Sequence, residues 1–183
     1  GIILNNQLYR GIGLISGEVG HHVLDPSGPL CYCGAHGCWE MFAAAPAISR
    51  YAADNAPDDS LLLKLAAGHR EKMTPLLISQ ASQQGDPFAQ AVMERTANYL
   101  GMGIANLINI FAPQVVVLGG GIMGSWPLFE PTARKAMERC SAMVPGYPEI
   151  RVRQAELGLN AGITGAARAI FALRSGETSL LPI

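Results

Sequence analysis

Charge is scarce in this sequence. Its 183 residues carry 13 Lys and Arg against 14 Asp and Glu, a formal net charge of −1. The basic residues are scattered rather than clustered, so there is no electrostatic case for contact with nucleic acid or an anionic membrane. No run of eighteen apolar residues occurs, which excludes a membrane-spanning helix in these residues. No secretory signal is visible, and no internal repeat. There are only four cysteines, and three of them fall between positions 31 and 38. That is too few and too uneven for a disulfide framework, and it fits a reducing cytoplasm. What the chain has in quantity is hydrophobic residues, 49% of the total, enough to build the core of one domain of ordinary size.

The scarce cysteines organise the reading. Cys31, Cys33 and Cys38 follow His21 within seventeen residues, and Glu18 and Glu40 bracket the group. Zinc commonly takes three thiolates and one imidazole in a tetrahedron, and these four residues supply that set. In an extended segment residues two apart point to the same side, so Cys31 and Cys33 can aim at one point. Gly34 and Gly37 let the chain turn back to deliver Cys38. The spacing is not the common Cys-x2-Cys finger, so three free thiols in a reducing compartment remain an alternative. His22 is a rival nitrogen ligand. Cys140 lies about a hundred residues away in a helical pattern and takes no part.

Along the rest of the chain, Ile2-Ile3-Leu4 and Gln7-Leu8-Tyr9-Arg10 read as a hairpin turning at Asn5-Asn6. Gly11 and Gly13 read as turn residues. Helices are expected over 39–54, interrupted by Pro46, over 61–68, over 74–84, and over 86–111, where apolar residues recur at helical spacing. Gly101 and Gly103 cost that last helix roughly 1 kcal/mol each relative to alanine, which close approach of another backbone would offset. Asn106 and Asn109 are expected to face solvent or to bond within the core. His69 and the charges around it are expected to be exposed. Val115 to Leu118 reads as a buried strand. Gly119-Gly120-Gly121 follows it, then a helix over 127–143. A strand, a glycine turn and a helix let backbone approach a nucleotide at the strand's carboxyl end. The same glycines also fit a tight turn without a ligand, and Gly119-x-Gly121-x-x-Gly124 matches the dinucleotide fingerprint, a weak signal standing alone. A strand over 150–154 and an alanine-rich helix over 163–173 follow, and the tail from Ser175 shows no periodicity.

Gly17-Glu18-x-Gly20-His21 with Cys31-x-Cys33-Gly34-x-x-Gly37-Cys38-x-Glu40 resembles the signature of the ROK family, which groups bacterial sugar kinases with sugar-responsive repressors. The stretches from Asn109 to Gly121 and from Ala161 to Ala167 agree with it. The resemblance implies an α/β, actin-like ATPase (ribonuclease-H-like) domain, the carboxy-terminal half of such a protein, with a zinc-binding loop over 21–38. It implies structural zinc at His21, Cys31, Cys33 and Cys38, and sugar contacts from Glu18, His21 and Glu40. It implies adenosine contact from Gly119, Gly120 and Gly121. In the family a glycine-rich phosphate loop and a catalytic aspartate precede this hairpin, so the expectation is a single domain over 1–183 whose amino-terminal companion lies outside the sequence.

The function so implied is the carboxy-terminal half of an ATP-dependent, glucokinase-like hexose kinase in the cytoplasm. Its ligands would be sugar, ATP and Mg2+, with no membrane and no direct nucleic-acid contact. The alternative is the sugar-sensing domain of a ROK-type repressor. Self-association into a homo-oligomer is expected, because an apolar first strand leaves an unpaired edge. Glu40 has a plainer reading as well, a carboxylate complementing the first turn of a helix.

Overall fold

The computed structural model describes residues 1–141 and 151–174. The sequence expectations for Ala142, Met143, Ile150 and the tail from Ser175 lie outside the described residues. Strands β1 (Ile2–Leu4) and β2 (Gln7–Tyr9) pair antiparallel, with Ile2 opposite Tyr9. Asn5 and Asn6 both take positive φ, 52° and 61°. A two-residue hairpin of this kind needs that conformation, and asparagine tolerates it better than most side chains.

A helical body follows. Helices α1 (Glu40–Ala43) and α2 (Ala45–Asn55) are the two parts of the helix expected over 39–54. They separate at Ala44, whose backbone is extended, and Pro46 sits in the first turn of α2, where its missing N–H breaks no helical bond. Helices α3 (Leu61–Leu65), α4 (Pro75–Gln83) and α5 (Pro87–Phe111) begin at Ser60, Thr74 and Asp86, each of whose side chains accepts a backbone N–H of the first turn. Asp86 does this twice. It is 2% exposed; Oδ1 accepts from Ala89 N at 2.9 Å and Oδ2 from Leu62 N at 2.7 Å, so one carboxylate caps both α5 and α3.

Strand β3 (Val115–Leu118) leads through a 3-10 turn, Gly121–Ser125, into α6 (Trp126–Cys140) and back to β4 (Arg151–Gln154). The two strands pair parallel, with Val115 opposite Arg151 and Leu118 opposite Gln154. This βαβ unit packs on α5, and Ile104, Phe129, Ala133, Met137 and Val152 join the core built on Ile48, Leu62, Ile78 and Val92. Helix α7 (Ala161–Arg174) closes the described chain. The expected burial of β3 is only half right. Val116 and Leu118 pack on the core, while Val115 and Val117 are 41% and 59% exposed. Side chains alternate along a strand, and among the described residues only one face of β3 is covered.

The glycines of α5 have different partners. A Cβ on Gly101 would stand 2.3 Å from the carbonyl oxygen of Ala133, so here the close neighbour is the backbone of α6. A Cβ on Gly103 would stand 2.0 Å from Cε2 of Trp39, so here it is an indole ring. Asn109 donates from Nδ2 to the Cys140 carbonyl at 3.0 Å, tying the ends of α5 and α6. His69 is exposed and pairs with Glu71, as its polar surroundings suggested.

Candidate metal and ligand site

The segment from His21 to Trp39 has almost no regular structure, and its shape comes from backbone hydrogen bonds across a narrow loop. Leu24 N donates to Gly37 O at 2.9 Å, Gly37 N to Pro29 O at 2.8 Å, and Cys31 N to Ala35 O at 2.8 Å. Gly34 and Gly37 take φ of 90° and 69°. Gly37 is also sterically required: a Cβ there would fall 1.5 Å from the carbonyl oxygen of Asp25. Trp39 anchors the far end. Its backbone N–H donates to His22 O, and its indole Nε1–H donates to Tyr99 O, both at 2.9 Å.

These constraints bring His21, Cys31, Cys33 and Cys38 together, with their donor atoms all within 4.8 Å of one another. Cys33 Sγ lies 3.5 Å from Cys38 Sγ, and Cys31 Sγ lies 3.6 Å from His21 Nδ1. Zinc bonded to sulfur at about 2.3 Å and to nitrogen at about 2.0 Å spans a tetrahedron with edges of about 3.5–3.8 Å, so the donor set fits that ion in both chemistry and size. Burial pushes the Cys31 thiol up to about 12 and raises Cys38 as well. The Cys33 thiol is lowered, chiefly by the backbone N–H of Ala35, which stabilises its thiolate. His22, the rival ligand, stands apart: its Nδ1 meets the Val19 carbonyl and its ring leans on Trp39 at 5.3 Å between centroids.

His21 faces two ways. Nδ1 lies among the sulfurs and 3.5 Å from Glu40 Oε1, while Nε2 lies 3.1 Å from the hydroxyl of Tyr32. Glu40 opens α1, where its carboxylate also complements the helix dipole. Its Oε1 accepts from Cys31 Sγ at 3.0 Å and its Oε2 lies 3.5 Å from the Tyr32 hydroxyl. Glu18 precedes the 3-10 turn Val19–His21 and is exposed; the Tyr32 phenol is raised by partial desolvation and then by the negative charges around it, Glu40 and Cys31 ahead of Glu18. The turn runs close to Glu40: a Cβ on Gly20 would meet Glu40 Cβ at 3.4 Å, an ordinary contact.

Tyr32 is the residue that sequence reasoning passed over. Residues 31–34 form a turn rather than the extended segment expected, with Gly34 N donating to Cys31 O at 3.0 Å, so strand alternation gave no signal for where Tyr32 lies. On the side of Tyr32 and Glu40 is a cavity of about 220 Å³, walled mainly by Leu30, Met41, Ala44, Pro46, Ala47 and Arg50.

The second candidate element, Gly119-Gly120-Gly121, follows the carboxyl end of β3. Gly120 has φ of 105°, and a Cβ on Gly120 or Gly121 would meet no atom within 4 Å, so backbone is open to approach there. Ala155 N donates to Leu118 O and Gln154 Nε2 to Met123 O, both at 2.8 Å, and Ser125 Oγ to Ser79 Oγ at 3.0 Å, which fixes the turn against β4 and α4.

The architecture and the His/Cys cluster define the class: an actin-like, ribonuclease-H-like α/β domain with a four-residue cluster able to hold a metal. A ROK family glucokinase from Streptomyces griseus, in complex with glucose and AMPPNP, superposes with a TM-score of 0.81 at 35% identity, covering 92% of this chain and 55% of that one. The profile of the ROK family matches residues 1–172, and the chain belongs to that family. It is 36% identical over 171 residues to the glucokinase of Streptomyces coelicolor, 91% of this chain and 54% of that protein. It is 35% identical over 128 residues to the xylose repressor of Bacillus subtilis, 70% of this chain and 30% of that protein. The chain therefore spans about half the length of the glucokinases it matches, and less of the repressor. No helix among the described residues is long and apolar enough to cross a membrane.

Proposed function

We propose that residues 1–183 form one sugar- and nucleotide-binding domain of an ATP-dependent hexose kinase. The observation that carries the sugar reading is the double engagement of His21. One nitrogen lies among three thiols, and the other, with Glu40, faces outward where a hydroxylated ligand can reach it. In this reading zinc, held by His21, Cys31, Cys33 and Cys38, is a structural ion with no open position that stiffens the loop. Glu18 and Glu40 accept hydrogen bonds from sugar hydroxyls, and His21 Nε2 offers a further polar contact. Charge-assisted bonds of this kind are roughly twice as strong as neutral ones and fix a neutral sugar's orientation. The turn Gly119-Gly120-Gly121, whose backbone is open at Gly120 and Gly121, takes the adenosine part of MgATP.

Transfer of the γ-phosphoryl group to a sugar hydroxyl needs a base for the hydroxyl proton and an in-line arrangement of the reactants. This chain's residues are given the positioning part of that work, and none is assigned the proton. Few cysteines, three of them in a metal-type pattern, support a cytoplasmic setting, and the exposed β1–β2 hairpin favours a homo-oligomer. A second reading, a sugar sensor, is favoured by the similarity to the xylose repressor. The test is made on the native protein that carries this chain. Hexose-dependent release of ADP from MgATP supports the kinase. Sugar binding without turnover, coupled to release from an operator, supports the sensor.

A further inference from the structure

The Tyr32 phenol occupies a place that the proposed function gives to the ligand. Its hydroxyl lies 3.1 Å from His21 Nε2 and 3.5 Å from Glu40 Oε2, bridging two of the groups read above as sugar contacts; with Nδ1 turned to the thiols, Nε2 carries the proton, so the phenol oxygen accepts from His21 and its O–H donates to Glu40. The ring meets His21 edge to face, with centroids 5.0 Å apart. A phenol hydroxyl and a sugar hydroxyl present the same hydrogen-bonding group, one O–H donor with acceptor lone pairs. The rest of Tyr32 is not held by the core, since the residue is 83% exposed. Its two neighbours in sequence hold the backbone in place: Cys31 is 2% exposed, and Cys33 turns its sulfur to Cys38. The side chain can therefore leave by rotation about its own bonds while the loop stays as it is, and the cavity of about 220 Å³ on its flank gives a bound ring room.

We propose that Tyr32 is a specificity-determining residue that stands in for a sugar hydroxyl between His21 and Glu40, and that a ligand binds there by displacing the phenol. The inference rests on the sugar reading of Glu18, His21 and Glu40. It makes the phenol an internal competitor: its hydrogen bonds are given up when a sugar hydroxyl takes them over, so affinity is lower than His21 and Glu40 alone would provide. Ligands with a hydroxyl at the matching ring position recover those bonds, and ligands without one leave the phenol where it is.

The test is calorimetric titration of the zinc-loaded native protein with glucose and its mono-deoxy analogues, for wild type, Tyr32→Phe and Glu40→Gln. Tyr32→Phe keeps the ring and removes the competing hydroxyl. Glucose affinity is expected to rise about three- to tenfold, the worth of one modest hydrogen bond. For one mono-deoxy analogue, the one lacking the displacing hydroxyl, the gain is expected to vanish. Glucose affinity that is unchanged or lower in Tyr32→Phe, with a clear loss in Glu40→Gln, overturns the role of Tyr32 and leaves the sugar reading standing. Equal gains for every deoxy analogue overturn the stand-in geometry. Binding by wild type that neither variant alters, or no sugar binding by any of the three, overturns the sugar reading and this inference with it. Both positions are surface-accessible, and thermal melts of the metal-loaded variants confirm that each is folded.

Discussion

Gly103 sits in the interior of a 25-residue helix, where replacing glycine by alanine ordinarily stabilises by about 1 kcal/mol. At this position the opposite is expected. The new Cβ would lie 2.0, 2.3 and 2.4 Å from Cε2, Nε1 and Cδ2 of Trp39. Ordinary carbon contacts need about 3.5 Å or more, so the ring must retreat by roughly 1.5 Å. It has little freedom to do so, because Nε1 donates to Tyr99 O and the backbone N–H donates to His22 O. Overpacking of this kind costs typically 1–3 kcal/mol, and loss of the indole hydrogen bond adds about 1 kcal/mol. Against a gain of about 1 kcal/mol in helix propensity, Gly103→Ala should destabilise by about 1–3 kcal/mol, a fall in Tm of roughly 3–10 °C for a domain of this size. Trp39 stands between Cys38 and Glu40 in the chain, so the displacement should also weaken zinc retention against a chelator. Gly165→Ala in α7 is the matched control, because a Cβ there meets nothing within 4 Å and alanine should be neutral or stabilising. Urea and thermal unfolding of both variants decide the matter. A Gly103→Ala protein as stable as wild type would refute the claim that Trp39 is wedged against α5.

Asp86→Ala removes the acceptor for two helix starts and leaves Leu62 N–H buried without a partner, so a loss of roughly 2–4 kcal/mol is expected in urea unfolding. A loss under about 1 kcal/mol would show that the shared cap is not a significant support. One zinc per chain is expected by elemental analysis, retained in His22→Ala and lost in Cys38→Ser. Because burial holds the Cys31 and Cys38 thiols protonated near neutral pH in the metal-free cluster, binding must expel at least those two protons. Zinc affinity should thus fall about a hundredfold for each unit that pH drops below neutral, and a flat profile in chelator competition would contradict it. Glu18→Gln and Glu40→Gln should each weaken sugar binding about ten- to a hundredfold, with zinc content unaltered. If Glu40 serves only the helix dipole, its variant instead loses a few tenths of a kcal/mol of stability and keeps its sugar affinity.

Local chemistry made much of this molecule readable in one dimension. The starts expected at 61, 74 and 86 fall within a residue of the observed ones, and the caps Ser60, Thr74 and Asp86 show why: a cap is a contact between near neighbours. The four-residue His/Cys cluster was legible because its residue types are rare elsewhere in the chain. What escaped notice was non-local. Asp86 read only as the start of the long helix, because its second partner, Leu62, lies 24 residues back. The neighbour that makes Gly103 necessary is a side chain 64 positions away, where a backbone was expected. Val115 and Val117 read as buried because β-branched runs favour interior strands, and a run of four cannot report how many layers cover it. Tyr32 was hidden by its setting: between two cysteines it read as spacer.

That setting also bears on how such a site can change over time. Positions 31 and 33 belong to the His/Cys cluster able to hold a metal, and a substitution there removes a thiol from it. Position 32 contributes no donor, packs little, and yet faces His21 Nε2 and Glu40. A single codon can therefore alter what the pocket presents to a ligand while every atom that shapes the loop is kept. Variation in ligand preference, whether by drift or by laboratory selection, has in that codon a route that bypasses the stability of the fold.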